Sequence, residues 1–166
     1  MMRREMKVSL MFCLVAGLTF HSCSRTESSI DKIVEDYYKT FNKRQDFEKF
    51  LSFYDEEIIL EDIVNGDRII GKKELGNFFD WNNTNFKSLD KNSLVIERTI
   101  IENNISVVKG YFSKFQWGDF KFEPMHFTTI LTFNESKKIV KQVDWINYPS
   151  SLVNYNERKN SNEWIE

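Results

Sequence analysis

The sequence predicts an α+β domain in which about three helices come first and a curved antiparallel β-sheet follows. Amphipathic helical patterns dominate residues 30–81, whereas nearly all of residues 93–148 read as strands. Aromatic residues make up 15% of the chain, which holds only 6 Gly and 2 Pro, a composition typical of a filled core with many β positions. Strands that follow helices along a chain indicate helices packed on one face of a sheet.

Apolar spacing predicts the three helices. The first begins at Ile30 and continues at helical intervals as far as Phe41. Asp46 is suited to cap a second helix, DFEKFLSFY, and GKKELGNFFDW reads as a third, with Phe78 on its buried side. Between these helices, EEIILEDIV is the first strand, and Gly66 in NGD marks a turn. The polar run NNTNFKSLDKN follows the third helix.

Four long strands complete the predicted domain. They are SLVIERTIIE, NISVVKGYFSKFQW, FKFEPMHFTTILTF and KIVKQVDWINY, all rich in β-branched and aromatic residues. The breaks at residues 103–104, 117–119 and 134–137 are short enough for hairpins, so the sheet is expected to be antiparallel. The sequence therefore predicts one domain, residues 30–149, followed by a polar C-terminal tail, residues 150–166.

Residues 1–22 read as a bacterial signal peptide, because the basic MMRREMK precedes an apolar run too short for an ordinary membrane span. The favoured interpretation is a lipoprotein signal cut before Cys23, whose thiol receives the lipid, with residues 23–29 as a tether. The alternative is ordinary secretion with cleavage after Ser24. The first interpretation predicts a protein anchored by lipid to a membrane of the cell envelope, and the second a soluble secreted or periplasmic protein.

Composition also bounds the partners and cofactors. A formal net charge of −2 shows no basic excess, which argues against nucleic-acid binding. His126 is the single histidine after the signal peptide, and Cys23 is assigned to lipidation, so a His/Cys metal cluster is not expected. No cofactor is predicted.

The stretch IILEDIVNGDRIIG, residues 58–71, places two carboxylates at the end of the first strand. Because side chains alternate along a strand, Ile58, Leu60 and Asp62 share one face. An inward Asp62 is an acid in an apolar setting and a candidate for chemistry. An outward Asp62 is a strand-end carboxylate that receives hydrogen bonds from the turn at Asn65 and Gly66.

Three strings carry a family resemblance: YYKTFNKRQDFEKFLSFYDEEIILED (37–62), RIIGKKELGNFF (68–79) and FTTILTFNESKKIVKQVDWI (127–146). In their order and spacing they resemble the nuclear-transport-factor-2-like superfamily, and within it the SnoaL-like and ketosteroid-isomerase-like proteins. The resemblance implies a cystatin-like cone, in which a curved sheet wraps around the helices and a pocket opens between them.

The resemblance also implies roles for individual residues. Ketosteroid isomerases use a base Asp with an oxyanion hole made of a Tyr and a protonated Asp. Asp62 stands at the position of the base and Tyr37, or else Tyr38, at the oxyanion tyrosine. Thr129 stands where the protonated Asp would be, so steroid isomerisation itself is not predicted. Asp144 falls on the inward face of the last strand and is expected to face Asp62 across the pocket as a carboxylate pair.

Two function classes follow from these expectations. The favoured one is an envelope-anchored domain that binds a small apolar ligand or a protein partner. The alternative is a cofactor-independent isomerase, cyclase or hydrolase with Asp62 as general base and Tyr37 or Asp144 as its partner. A homodimer through the outer face of the sheet is a further expectation. The predicted pocket lining is Ile58, Leu60, Phe78, Phe127, Thr129, Gln142 and Ile146.

Overall fold

A computed structural model describes residues 29–153, 155–156 and 159–165. The predicted signal peptide, Cys23 and the tether as far as residue 28 lie outside the described residues. Within the described part of the chain, no helix is long and apolar enough to cross a membrane.

Three α-helices form close to their predicted positions: α1 (Ser29–Lys43), α2 (Phe47–Ser52) and α3 (Lys72–Phe79). The Asp46 carboxylate accepts a hydrogen bond from the backbone N–H of Lys49 at 2.9 Å, so it caps α2 as predicted. This helix ends earlier than the sequence pattern indicated, because the chain turns at Phe53 and enters the first strand at once.

Nine strands form among the described residues. In chain order they are β1 (Tyr54–Asp62), β2 (Asp67–Ile70), β3 (Phe86–Ser88), β4 (Leu94–Glu102), β5 (Ile105–Phe112), β6 (Phe115–Trp117), β7 (Phe120–Phe122), β8 (Met125–Phe133) and β9 (Ile139–Ile146). Six of them form a curved, unclosed sheet in the order β2-β1-β9-β8-β5-β4. The α+β class and the curved sheet are as predicted.

The main sheet is mixed and not wholly antiparallel. Strand β9 pairs antiparallel with β8 but parallel with β1, so that Asp62 lies in register with Asp144. The other pairs, β1–β2, β4–β5 and β5–β8, are antiparallel. The prediction failed at β1–β9 because short hairpins fix only the pairing of consecutive strands. The first and last strands meet through a long crossover.

Two of the predicted long strands are each divided in the structure. Residues 104–117 give β5 and β6, and residues 120–133 give β7 and β8. Pro124 has no N–H to donate to a ladder, which ends β7 on one side. Between β5 and β6, the backbone N–H of Ser113 donates to the carbonyl oxygen of Ser93, and the backbone N–H of Lys114 donates to the Asp90 carboxylate. These bonds turn the chain out of the main sheet.

The divided segments build a second, three-stranded sheet of β3, β6 and β7, which we call the aromatic sheet. Strand β3 of this sheet comes from the polar run NNTNFKSLDKN, for which the sequence predicted no strand. Register places five aromatic side chains on one face, together with Ser88: Phe86, Phe115, Trp117, Phe120 and Phe122. The opposite face carries Lys87, Gln116 and Lys121. The aromatic sheet is therefore amphipathic.

The core lies between the helices and the inner face of the main sheet. Phe50 of α2 is fully buried, and its ring contacts those of Tyr37 and Tyr54 at centroid distances of 5.4 Å. Burial of one such aromatic side chain contributes roughly 1.5–3 kcal/mol to stability. Ile58 and Leu60 belong to the same core cluster.

The outer face of the main sheet carries a stripe of aliphatic side chains. Val143, Ile130, Val107 and Ile100 are directly paired across β9, β8, β5 and β4. We call these four residues the outer stripe. Ile100 is exposed and the other three are half-buried. No described helix covers this face of the sheet.

The described part of the C-terminal tail packs against the β1–β2 turn. Gly66 has a φ of +81°, and a side chain there would meet the backbone oxygen of Lys159 at 2.0 Å. The Ser161 hydroxyl donates to the carbonyl oxygen of Ile63 at 3.0 Å. The described part of the tail thus contacts the turn at the end of β1, the strand that carries Asp62.

Candidate functional site

Two adjoining cavities lie between the helices and the inner face of the main sheet. The inner cavity has a volume of about 70 Å³ and the outer cavity about 210 Å³. Six residues line both: Phe41, Phe78, Phe79, Phe112, Ile146 and Tyr148. The inner cavity is completed by Tyr37, Tyr38, Asp62, Leu94, Phe127, Thr129, Gln142 and Asp144. Polar groups are therefore concentrated at the inner end.

Asp144 is held at the centre of the inner cavity by β9. It is 8% exposed, and register places it between Thr129 on β8 and Asp62 on β1. Thr129 donates to one carboxylate oxygen at 2.5 Å, and the Gln142 amide donates to the other at 2.8 Å. Burial raises the pKa of Asp144 to about 6, with a contribution from the negative charge of Asp62, although both hydrogen bonds oppose the shift.

Asp62 is 2% exposed and lines the inner cavity. Its Oδ1 accepts the backbone N–H groups of Val64 and Asn65 at 3.1 and 2.9 Å, and its Oδ2 accepts the Tyr148 hydroxyl at 2.5 Å. Burial raises the pKa of Asp62, while these hydrogen bonds oppose the rise. Asp62 therefore combines the two predicted alternatives. Its carboxylate accepts hydrogen bonds from the turn that follows β1, and it also faces the cavity.

A chain of hydrogen bonds leads from α1 to Asp144. The Tyr54 hydroxyl donates to Gln142 Oε1 at 2.8 Å, so the Tyr37 hydroxyl, 2.7 Å away, donates to Tyr54. The chain thus runs from Tyr37 through Tyr54 and Gln142 to the Asp144 carboxylate. Every donor in it points toward that carboxylate, which favours the ionised form.

Tyr38 contrasts with Tyr37, its neighbour on α1. It is 7% exposed, yet its hydroxyl has no hydrogen-bond partner among the described residues. Its ring stacks on Phe127 at 6.4 Å, on the Thr129 side of the cavity. Burial raises the pKa of Tyr38, and the charge of Asp144 adds to the rise. The Tyr38 hydroxyl is thus a buried polar group left available at the inner end.

The outer cavity has one cationic lining residue, Arg44. Its guanidinium lies over the Phe86 ring at 4.3 Å and over the Trp81 ring at 5.1 Å. Burial lowers the pKa of Arg44 to about 10, so it stays charged at neutral pH. The aromatic face of the aromatic sheet, including Trp117, covers the rest of this cavity.

The structure brings most of the predicted site residues together. Those that line the inner cavity are Asp62, Tyr37, Asp144, Phe78, Phe127, Thr129, Gln142 and Ile146. Ile58 and Leu60 do not line it, because alternation gives the face of a residue but not its depth, and both are covered by the core. Asp144 is also beside Asp62 on the neighbouring strand and does not face it across the pocket.

Sequence reasoning missed two members of the site, Tyr54 and Tyr148, whereas Tyr38, its alternative to Tyr37, lines the inner cavity together with Tyr37. Tyr54 is the last residue of a predicted helix and in fact opens β1. Tyr148 is the last residue of the predicted strand KIVKQVDWINY, but in the structure it lies two residues beyond the end of β9. His126 is exposed, because it alternates on β8 with the buried Phe127. The described residues contain no group of three or more His, Cys, Asp or Glu placed to hold a metal ion.

Solved structures with the same fold bear different names. A protein described as a SnoaL-like polyketide cyclase from Shewanella denitrificans is 15% identical, with a TM-score of 0.61, covering 72% of this chain and 90% of its own. An LEH-like epoxide hydrolase from M. tuberculosis is 12% identical, with a TM-score of 0.57 and coverages of 71% and 82%. A protein with a ketosteroid isomerase-like fold from Catenulispora acidiphila, solved with trimethylamine, is 11% identical, with a TM-score of 0.58 and coverages of 74% and 88%.

At these identities the likeness establishes the fold alone, since one fold hosts many functions. No curated protein is significantly similar to this chain in sequence. Residues 29–138, however, match the family model for the Nuclear transport factor 2 (NTF2) domain. This match spans most of the described residues, from α1 to the turn before β9. The chain belongs to the NTF2 domain family.

Proposed function

We propose that this domain binds a small, largely apolar molecule in the joined inner and outer cavities, with the polar end of that molecule at Asp62 and Asp144. The observation that carries the proposal is the gradient of polarity along the site. The outer cavity is lined mainly by aromatic and aliphatic side chains, with Arg44 and two serines, whereas carboxylates, hydroxyls and an amide converge on the inner one. An apolar cavity with a few convergent polar groups is the usual form of a small-molecule site.

A second candidate function is cofactor-independent acid–base catalysis. In such a reaction an ionised carboxylate removes a proton from a carbon beside a carbonyl group, and a protonated neighbour returns a proton elsewhere. The observation in its favour is the pKa of Asp144, which lies near neutrality at about 6 beside a second buried acid.

Hydrogen-bond donors weigh against catalysis on an enolate. A developing oxyanion needs donors that are free to meet it. Thr129 and Gln142 donate to Asp144, and Tyr148 donates to Asp62. The Tyr37 hydroxyl donates to Tyr54. These donors are engaged, and among the described lining residues of the inner cavity the Tyr38 hydroxyl is the one left without a partner, so binding is the better supported function.

One NMR experiment separates the two candidates. The carboxyl carbons of Asp62 and Asp144 are titrated with and without a panel of small apolar ketones, alcohols and amines, and deuterium exchange into the ketones is followed in the same samples. We expect at least one compound to shift both carboxyl resonances without any accelerated exchange. Exchange that is accelerated by the protein and lost in Asp62→Asn would establish the enzyme instead. Unmoved carboxyl resonances across the whole panel would contradict both.

The cellular setting is part of the same proposal. The basic stretch, the short apolar run and Cys23 support export and lipid attachment at the cell envelope. Mass spectrometry of the protein from its membrane fraction tests this, and a Cys23→Ala variant found equally in that fraction would contradict it.

The exposed outer stripe supports a homodimer formed through the outer face of the sheet.

A further inference from the structure

We propose that the polar end of the ligand is a protonated amine, so that the site selects small monovalent organic cations with an apolar body. This inference rests on the proposed function and names its ligand class. Three observations carry it, concerning the charge of the inner cavity, its hydrogen-bonding capacity and its aromatic walls.

Among the described residues, the inner cavity carries negative charge with no opposite charge to balance it. Asp62 and Asp144 both line it, and the described residues that line it include no Lys, Arg or His. Two cations on β2 and β9 serve another acid, since Arg68 and Lys141 pair with Glu61 on the opposite face. Buried charges are normally paired, so an unbalanced acid pair calls for a cation from outside the chain.

The cavity also offers more free acceptors than free donors. The side-chain donors beside the carboxylates are Thr129, Gln142 and Tyr148, and each donates to Asp144 or Asp62. What remains is the unused lone pairs of the carboxylates and the hydroxyl of Tyr38, which has no partner in the described part of the chain. A ligand that fits this surface brings its own N–H groups. An ammonium group does so and adds the missing charge.

Aromatic rings surround the same space. At one side of the inner cavity the Phe127 ring contacts those of Phe112 and Tyr38, with centroid distances of 4.9 and 6.4 Å. Ring faces attract cations, and aromatic walls are the usual means of holding alkylated ammonium groups. The volume of about 70 Å³ admits a head of only a few heavy atoms. The outer cavity of about 210 Å³ takes the apolar body, where Arg44 disfavours a second positive charge.

The inference gives a definite pH dependence. The titratable groups facing Asp144 are Tyr37, Tyr38, Tyr54, Asp62 and Tyr148, and the turn adds Asp67 beside Asp62. None of the tyrosines ionises near neutrality, because burial raises the pKa of each. Asp144 is therefore the group that titrates near pH 6. Affinity for a cation should fall as the pH drops through this value, while affinity for a neutral molecule should not.

The test uses matched pairs of compounds. N,N-dimethylbenzylamine is protonated at neutral pH and has the same shape as isobutylbenzene, and alkyldimethylamines of graded length have matching branched alkanes. Binding of both members to the protein is measured by NMR at pH 7.5 and pH 5. We expect the amines to bind at least about tenfold more tightly than their hydrocarbons at pH 7.5 and to lose most of that preference at pH 5.

Variants confirm where the preference arises. Asp144→Asn and Tyr38→Phe should each reduce the preference for amines, whereas Glu61→Gln, which removes a buried carboxylate from the opposite face, should leave it unchanged. Equal or tighter binding of the hydrocarbons would overturn the amine inference and leave the proposed function standing. Failure of every compound to shift a cavity resonance would overturn both. A preference that survives in Asp144→Asn and in Asp62→Asn would overturn the assignment to the acid pair.

Discussion

Glu61 and Asp62 follow each other on β1, but the two faces of the sheet give them different surroundings. Glu61 is 7% exposed and pairs on the outer face with Arg68 at 3.3 Å and Lys141 at 3.0 Å. Asp62 is equally withdrawn from water on the inner face, where neutral donors alone bind it. Burial by itself therefore does not reveal the role of a carboxylate. The difference lies in whether the chain supplies the opposite charge.

The same contrast extends to whole faces of the sheet. The outer face combines paired charges with the apolar outer stripe, and the inner face combines apolar walls with unpaired acids. Substitutions on the two faces should therefore have effects of different kind and, for the carboxylates, of opposite sign.

The largest effect is expected from a charge placed in the outer stripe. We expect the protein lacking residues 1–24 to sediment as a dimer, and Ile130→Glu to raise its dissociation constant more than about a hundredfold, because burying an unpaired charge costs several kcal/mol. Sedimentation velocity measures the change. Lys121→Glu, on the polar face of the aromatic sheet, is the control. A monomeric parent protein would exclude the outer stripe as a dimer interface.

The next effect concerns Asp144. A folded-state pKa near 6, above the ordinary 3.8, means that ionisation of Asp144 destabilises the fold as the pH rises from about 4 to 6. Asp144→Asn should therefore raise the free energy of unfolding by about 2–3 kcal/mol at pH 7 and by almost nothing at pH 4. Thr129 can accept from the new amide, so the network survives. Urea denaturation at both pH values measures the change in the free energy of unfolding. A variant less stable than the parent protein at pH 7 would contradict the conclusion that the charge of Asp144 is unbalanced.

Tyr148→Phe should have a smaller effect of the opposite sign. It removes the hydroxyl that donates to Asp62 at 2.5 Å, and a hydrogen bond to a charged group is worth about 1.5–3 kcal/mol. We expect stability at pH 7 to fall by about 1.5 kcal/mol and the pKa of Asp62 to rise. Thermal unfolding and a carboxyl NMR titration check the two results. Tyr111→Phe on the half-buried outward side of β5 should change neither, and an unmoved pKa in Tyr148→Phe would show that this bond is not formed in solution.

Glu61→Gln should have the smallest effect. Its partners Arg68 and Lys141 are 38% and 46% exposed, so solvent screens both ion pairs. A loss of about 0.5–1 kcal/mol at pH 7 is expected in urea denaturation, and it should shrink in high salt. A gain in stability as large as that of Asp144→Asn would remove the distinction between the two faces.

The sequence predicted the face of each strand well and the depth and pairing of strands less well. Asp62, Thr129, Gln142 and Asp144 reach one cavity because alternation within β1, β8 and β9 is a local property of the backbone. The parallel pairing of β1 with β9 depends on a crossover that no local pattern records. Without that pairing, Asp144 could be assigned to the cavity but not to the place beside Asp62.

Other misses have the same physical origin. Pro124 was visible in the sequence, but residues 120–133 were read as one long strand running through it, so the aromatic sheet was not foreseen. Tyr148 lies in irregular chain after β9, where side-chain direction follows from tertiary contacts alone. Tyr54 and Tyr148 lie at or just beyond the end of a strand, and the limits of an element are the part that a sequence pattern places least well.

The parallel contact between β1 and β9 also bears on the order in which the chain folds. The hydrogen bonds that complete the site join residues 88 apart, Tyr54 to Gln142, and 86 apart, Tyr148 to Asp62. Contacts of such separation form late, because the chain must close a long loop before any of them is made. The hairpins of β4, β5, β8 and β9 need no such closure. The two acids are therefore brought together, at an energetic cost, only after the rest of the sheet has formed. A chain that stops before β9 lacks Asp144 and never brings them together.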